Sequence, residues 1–326
     1  MKPSFRPAWI TRFRIAGHAN RFFEGIGDDP GFLLINLHDP HTPYHQRVAG
    51  VPADPVRPGE VDRFDFLPPG VGFDRDAAAA YYNGVARVDA AFGRVVATLK
   101  RRGLYDDAVI VFTSDHGPPF GQRGKGACYE AGLRVPLLAK LPGTAPGTVI
   151  EPPVSVIDLF PTVARAAGVK APAARPGVPL QEVRPDGPWP HDAIYGEFTY
   201  HVHEMLKPIR PIRSGRWKLI CNPLSSHYAE LLDDWQLTDP RRDVSWPQAN
   251  YRAYAQRPTY ELYDLEADPY EFHNLADDPA PAEPQARLLR QLQRWQRETG
   301  DLFVVGDDSD ALRARGAGML RRVFGY

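Results

Sequence analysis

A chain of 326 residues, 43% of them hydrophobic, carries enough apolar material for one large α/β domain or for a large and a small one together. Its 39 basic and 40 acidic residues leave a formal charge of -1, so no global field draws it to nucleic acid or to an anionic membrane, and local charges must capture any anionic ligand. The two cysteines, Cys128 and Cys221, form no Cys-x-x-Cys pair, which argues against a zinc cluster or a disulfide framework, and no run approaches the roughly 20 apolar residues of a membrane span.

Met1 to Trp9 holds no apolar core of signal-peptide length, and the compartment stays open. Residues 9 to 28 place Ile10, Phe13, Ala16, Phe22 and Phe23 at helical spacing before Gly25 and Gly27, which predicts a helix. Gly31 to Leu37 reads as an apolar strand ending in the proline-broken turn His38 to Tyr44. The proline-rich stretch from Val51 to Gly72 reads as a surface loop near a cleft. From Tyr81 through Val85, Val88, Phe92 and Val95 to Leu99 the spacing alternates between four and three. That is one long amphipathic helix, with Asp74 as its N-cap and Gly103 as its stop.

Ala108 to Thr113 is short, apolar and β-branched, so it reads as a buried parallel strand. Helix followed by strand, twice over, predicts an α/β fold with a mostly parallel sheet flanked by helices. Val135 to Lys140 reads as a further strand, and Val154 to Gly168 as a strand end leading into a helix. Ala171 to Pro190 looks like a linker. The runs Ala193 to Phe198, Arg213 to Ile220 and Tyr260 to Leu265 predict a smaller antiparallel sheet, Leu288 to Trp295 a last helix, and Val304 to Tyr326 a basic tail. The division predicted is 1–185, 186–303 and 304–326.

The residues that bear on chemistry cluster after the Ala108 strand. Phe112-Thr113-Ser114-Asp115-His116-Gly117 places a carboxylate and an imidazole at a strand's carboxyl end, where open α/β sheets bind ligands. Asp115 and His116 could share one divalent ion; the alternative is a solvated aspartate beside a satisfied histidine. Gly124-Lys125-Gly126 follows, then Tyr129-Glu130 and Gly132 with Arg134-Val135-Pro136. Arg123 is a further cation that could bind a sugar carboxylate or sulfate, or stand solvated. Arg134 and Asp158 could form an internal pair. Cys128 stands in a Cys-Tyr-Glu context that offers no nucleophile motif.

These motifs together resemble the sulfatases of the alkaline phosphatase superfamily. The resemblance runs through Asp39-Pro40-His41, Tyr81 to Asp89, Ser114 to Gly117, Asp158 with Pro161-Thr162, Arg213 to Leu219, and Glu261-Leu262-Tyr263-Asp264-Leu265 to Asn274-Leu275-Ala276. His38 to His41 and Gly196 to His201 make the sulfamidase (heparan N-sulfatase) type the nearest subgroup. The resemblance implies an alkaline phosphatase-like fold and a calcium-type ion at Asp115 and His116, with manganese or zinc as alternatives. It implies contact of Lys125 and His41 with the sulfate, and of His201 and Glu197 with the substrate, a sulfated small molecule or glycan. The histidine at 116 also occurs in branches that cleave phosphate or phosphonate esters.

Sulfatases attack sulfur with a formylglycine made from a Cys or Ser in a short motif typified by Cys/Ser-x-Pro-x-Arg, and no run with that proline occurs here. The expectation is therefore a catalytic domain incomplete at its amino terminus, dependent on a missing segment or on self-association. Three readings follow. The complete form hydrolyses a sulfate ester or sulfamate; or it hydrolyses phosphodiesters or phosphonate monoesters; or the chain is truncated or degenerate and only binds a ligand or partner.

Overall fold

The computed structural model describes residues 15–27, 29–170, 172, 176–200, 206–225, 256–307 and 309–324. Helix α1, Ile15–Ile26, packs on the long helix α2, Arg75–Arg101. The ends of α2 are fixed as its sequence predicts. The Asp74 carboxylate accepts the Ala77 N–H at 2.9 Å, and Gly103 leaves the helix with φ 67°. The loop between the two helices lies against α2. Asn83 donates to the Val56 carbonyl and to Gln46, while Val61, Phe64, Phe73 and Phe120 close a small core over Ala78 and Ala79.

Strand β1, Ile110–Thr113, pairs with β2, Leu137–Lys140, and the pairing is antiparallel. The expectation of a parallel neighbour is corrected at this ladder. A parallel partner needs a helical crossover, whereas residues 114–136 contain only the four-residue helix α3, Glu130–Leu133, and fold back on themselves. The predicted strand at 31–37 joins no ladder among the described residues, and Phe32 and Leu34 are exposed. Helix α4, Leu159–Ala166, follows a short 3-10 turn at Val156–Asp158.

The second sheet runs β3 (Ile194–Tyr195), β4 (Arg210–Ser214), β5 (Trp217–Cys221) and β6 (Tyr260–Asp264), all antiparallel. The single strand predicted over 213–220 is two strands, because Gly215, at φ 59°, turns the chain into a hairpin. Alternation along β5 and β6 divides the sheet into two faces. Leu219 stands opposite Leu262, and both pack with Leu288 and Leu292 of helix α5, Ala282–Thr299. On the other face Lys218 stands opposite Tyr263 and Ile220 opposite Glu261, turned toward Ala127, Cys128 and Tyr129. Beyond residue 303 the predicted tail contains helix α6, Ser309–Phe324, and Val305 and Leu312 are buried.

Candidate functional site: the cleft around Asp115 and Lys125

The segment 117–132 is held by backbone lying on backbone. Gly117 donates its N–H to the Gly132 carbonyl at 2.9 Å, and Lys125 donates its own to Pro118 at 3.1 Å. A Cβ at Gly124 would stand 1.8 Å from the Pro118 oxygen, and one at Gly117 would stand 1.8 Å from the Ala131 oxygen. Only glycine permits that closeness, which explains why Lys125 sits between glycines. Asp115, His116 and Lys125 consequently line one cleft of about 2210 Å3, together with Glu130, Glu197 and Lys207.

At the head of this segment the hydrogen bonds decide which atoms face outward. Asp115 Oδ1 accepts the His116 N–H at 3.0 Å. His116 Nδ1 lies 2.8 Å from the Gly117 carbonyl oxygen. A carbonyl only accepts, so Nδ1 carries the proton, and the neutral ring presents a lone pair on Nε2. That nitrogen lies 3.3 Å from Asp115 Oδ2. A lone pair facing a carboxylate oxygen is repulsive unless a proton or a cation lies between them. The pair suits a divalent ion in donor chemistry and in direction, and Asp115 is 84% exposed at its side chain. It supplies two ligands. Among the described residues no three His, Cys, Asp or Glu side chains gather to complete a shell.

His41 belongs to the other loop. Its Nδ1 lies 2.8 Å from the Thr42 carbonyl oxygen, and its ring meets His38 edge-on at 5.1 Å. The loop is anchored from beneath, because Asp39 accepts two bonds from Arg87 of α2 at 3.0 and 3.1 Å, both side chains being buried. Tyr44 stacks on Phe120 at 6.1 Å, which ties this loop to the segment carrying Lys125. His41 is not among the residues lining the large cleft. Neither is Arg123, whose guanidinium donates to the Tyr270 and Glu271 carbonyls and covers the Tyr129 and Phe272 rings. Glu197 does line the cleft, with an exposed carboxylate 3.9 Å from Arg210. His201 lies outside the described residues. Arg134 is exposed; Asp158 is buried against His191 at 2.9 Å and accepts the Ser155 and Val178 N–H groups.

Beneath the cleft lies a charge network that sequence reasoning missed. Lys218, buried, reaches Glu130 at 2.9 Å and Glu271 at 2.8 Å, and Arg213 adds a bond to Glu130 at 2.8 Å. Burial pushes the Glu130 carboxyl up, but Lys218 and Arg213 outweigh it and hold the group below its ordinary value. Glu271 shares the same ammonium without the arginine, and burial leaves it above its ordinary value. Burial pulls the Lys218 ammonium down, yet the two carboxylates outweigh it and its affinity for the proton rises. Beside this network Glu261 accepts from Tyr129, Tyr263, Asn222 and Arg257. Through Tyr129, Glu261 therefore ties the segment before helix α3 to strand β6. Both cysteines are buried and unbridged, and burial raises the Cys128 thiol to about 11.

The family profile described as Sulfatase matches residues 15–169, and the profile described as N-sulphoglucosamine sulphohydrolase, C-terminal, matches residues 120–253. The chain belongs to the sulfatase family. It is 29% identical to N-sulphoglucosamine sulphohydrolase of Homo sapiens over 92% of this chain and 66% of that protein. It is also 29% identical to choline-sulfatase of Rhizobium meliloti over 84% of this chain and 52% of that one. This sulfatase-family chain thus spans between half and two thirds of the length of these relatives. Among solved structures, the yidJ protein of Bacteroides fragilis aligns with a TM-score of 0.67 at 22% identity, over 92% of this chain and 60% of that one. The phosphonate monoester hydrolase SpPMH of Silicibacter pomeroyi aligns with a TM-score of 0.53 at 28% identity, over 69% and 41%. The fold is alkaline phosphatase-like, and the smaller antiparallel sheet is as the sequence predicts. The sulfatase family generally uses a divalent metal. Among the described residues no helix is long and apolar enough to cross a membrane.

Proposed function

We propose that this sulfatase-family chain supplies the anion-binding and leaving-group half of a site that hydrolyses a sulfate ester or sulfamate on a sugar. The observation that carries the reading is the gathering of Asp115, His116 and Lys125 on one cleft. Asp115 Oδ2 and His116 Nε2 would hold a divalent ion; the carboxylate suits the calcium-type ion that the family resemblance implies, and the imidazole suits manganese or zinc. A bound ion would polarise sulfuryl oxygens and stabilise charge that develops on them. The Lys125 ammonium donates to a sulfuryl or bridging oxygen as the S–O or S–N bond breaks. Glu197 and His201 are assigned to the sugar, while His41, which stands on the neighbouring loop outside the cleft lining, is given no proton-transfer role. Arg123, bound to backbone carbonyls, serves this reading by fixing the segment that carries Lys125.

The one run of the form Cys/Ser-x-Pro/Ala-x-Arg in these 326 residues, Ser309-Asp310-Ala311-Leu312-Arg313, opens helix α6 and does not follow a strand, so the reading assigns binding to the chain and no nucleophile. Calorimetric titration with N-sulfated glucosamine, with calcium present, tests it. Lys125→Ala should weaken binding about 10- to 100-fold, the worth of a charge-assisted hydrogen bond; unchanged affinity would overturn the assignment. The phosphonate monoester hydrolase, 28% identical, favours a second reading, phosphodiester or phosphonate monoester hydrolysis. An aryl phosphate diester displacing the sugar more strongly than an aryl sulfate does would establish it in place of the first.

A further inference from the structure

Lys207 is a buried cation that has no counter-ion among the described residues. Its side chain is 8% exposed and lines the same cleft as Lys125. The Phe198 ring lies 5.0 Å from its Nζ, and a Cβ at Gly126 would stand 3.8 Å from it. Among the described residues no carboxylate, carbonyl or hydroxyl forms a hydrogen bond or ion pair with that Nζ. The charged neighbours make matters worse: Arg257 is a second cation, and its own carboxylate partner, Glu261, is occupied by four donors. Burial first, then Arg257, lowers the Lys207 ammonium to about 8. A buried ammonium is costly unless an anion compensates it, and among the described residues the space open to this one is the cavity wall beside Gly126.

We propose that Lys207 is a second anion-recognition point of the cleft, taking a sulfate or carboxylate group of the ligand other than the sulfuryl group held by Lys125. The ligand class suited to both lysines is a sugar carrying two anionic groups. The proposal rests on the functional reading for the identity of that ligand and on the cavity wall alone for the site.

Pulse acetylation of the full chain with acetic anhydride, followed by mass spectrometry, reads each lysine separately. Three ligands are compared at equal concentration with calcium present: glucosamine, its N-sulfate, and its 2-N,6-O-disulfate. The disulfate should slow acetylation of Lys207 about tenfold or more, the N-sulfate should protect Lys125 but spare Lys207, and glucosamine should protect neither. Lys125 protected by the disulfate with Lys207 reacting at its free rate would overturn the proposal alone. Lys207 protected without Lys125 would uphold it and overturn the sulfuryl assignment, and protection of neither would overturn both. In parallel, Lys207→Met, which keeps length and apolar bulk, should bind the disulfate about 10- to 100-fold more weakly and the N-sulfate within about threefold of the parent. Equal losses for the two ligands would contradict a selective second contact.

Discussion

At the residue scale, adjacent side chains of one chemical type have different work to do. Lys125 lies at the cleft, Lys207 lines it with no counter-ion among the described residues, and Lys218 is sealed between Glu130 and Glu271. Removal of one member of a buried charge cluster leaves the others uncompensated, at about 3–5 kcal/mol. Lys218→Met is therefore expected to lower chain stability by about that amount, read from denaturant unfolding, whereas Lys125→Met should change it by less than about 1 kcal/mol. A Lys218→Met chain as stable as the parent would show that the network is not carrying the contact between Glu130 and the C-terminal sheet. Asp115, His116 and Lys125 were legible in the sequence because short motifs with fixed spacing mark them. Lys207 and Lys218 were not, because a lone lysine is ordinarily solvent-facing, and only packing against Phe198 or between two distant carboxylates distinguishes these two.

At the scale of elements, helix α2 was legible in full, from its N-cap at Asp74 to its stop at Gly103, because local periodicity and end chemistry determine a helix without tertiary help. The strands were legible as apolar runs but not in their partners. Pairing direction depends on the connection, and the fold-back of 114–136 rests on backbone contacts at Gly117, Gly124 and Gly132. Helix α2 also positions the His41 loop through one glycine. A Cβ at Gly84 would lie 2.9 Å from Pro40 Cβ and 3.1 Å from its Cα. Glycine to alanine inside a helix ordinarily stabilises by about 0.5–1 kcal/mol. Here Gly84→Ala is expected to reverse that sign and destabilise by about 1–3 kcal/mol, measured by thermal unfolding. A stabilised variant would mean that Pro40 does not press on α2.

Across the whole molecule, Glu130 and Glu261 tie the 129–130 segment to the C-terminal sheet and Asp301 holds Arg210, and the titration of these carboxylates sets a pH dependence. For Glu261 burial pushes up, but Arg257 and the donors from Tyr129, Tyr263 and Asn222 hold the carboxyl below its ordinary value. In Asp301 burial is likewise outweighed by Arg210, and Glu130 behaves in the same way. Folded values lowered from the ordinary ones contribute stability that is present above the unfolded pKa of about 4 and lost as pH falls through the folded values. Glu271, raised, acts with the opposite sign, one group against three. The unfolding temperature should therefore fall as pH is taken from about 5 to 3, and Glu261→Gln should flatten that fall. A profile in which stability rises toward acid would show that Glu271 outweighs the other three.

The central claim is that one cleft gathers a cation pair of ligands and a sulfate-binding lysine. Titration of N-sulfated glucosamine into the chain, with calcium and then with a chelator, tests this in a single comparison with Asp115→Ala. The account predicts that calcium strengthens binding about tenfold or more in the parent and by no more than about twofold in Asp115→Ala. Equal affinity with and without calcium, or a calcium effect that survives loss of the Asp115 carboxylate, would contradict it.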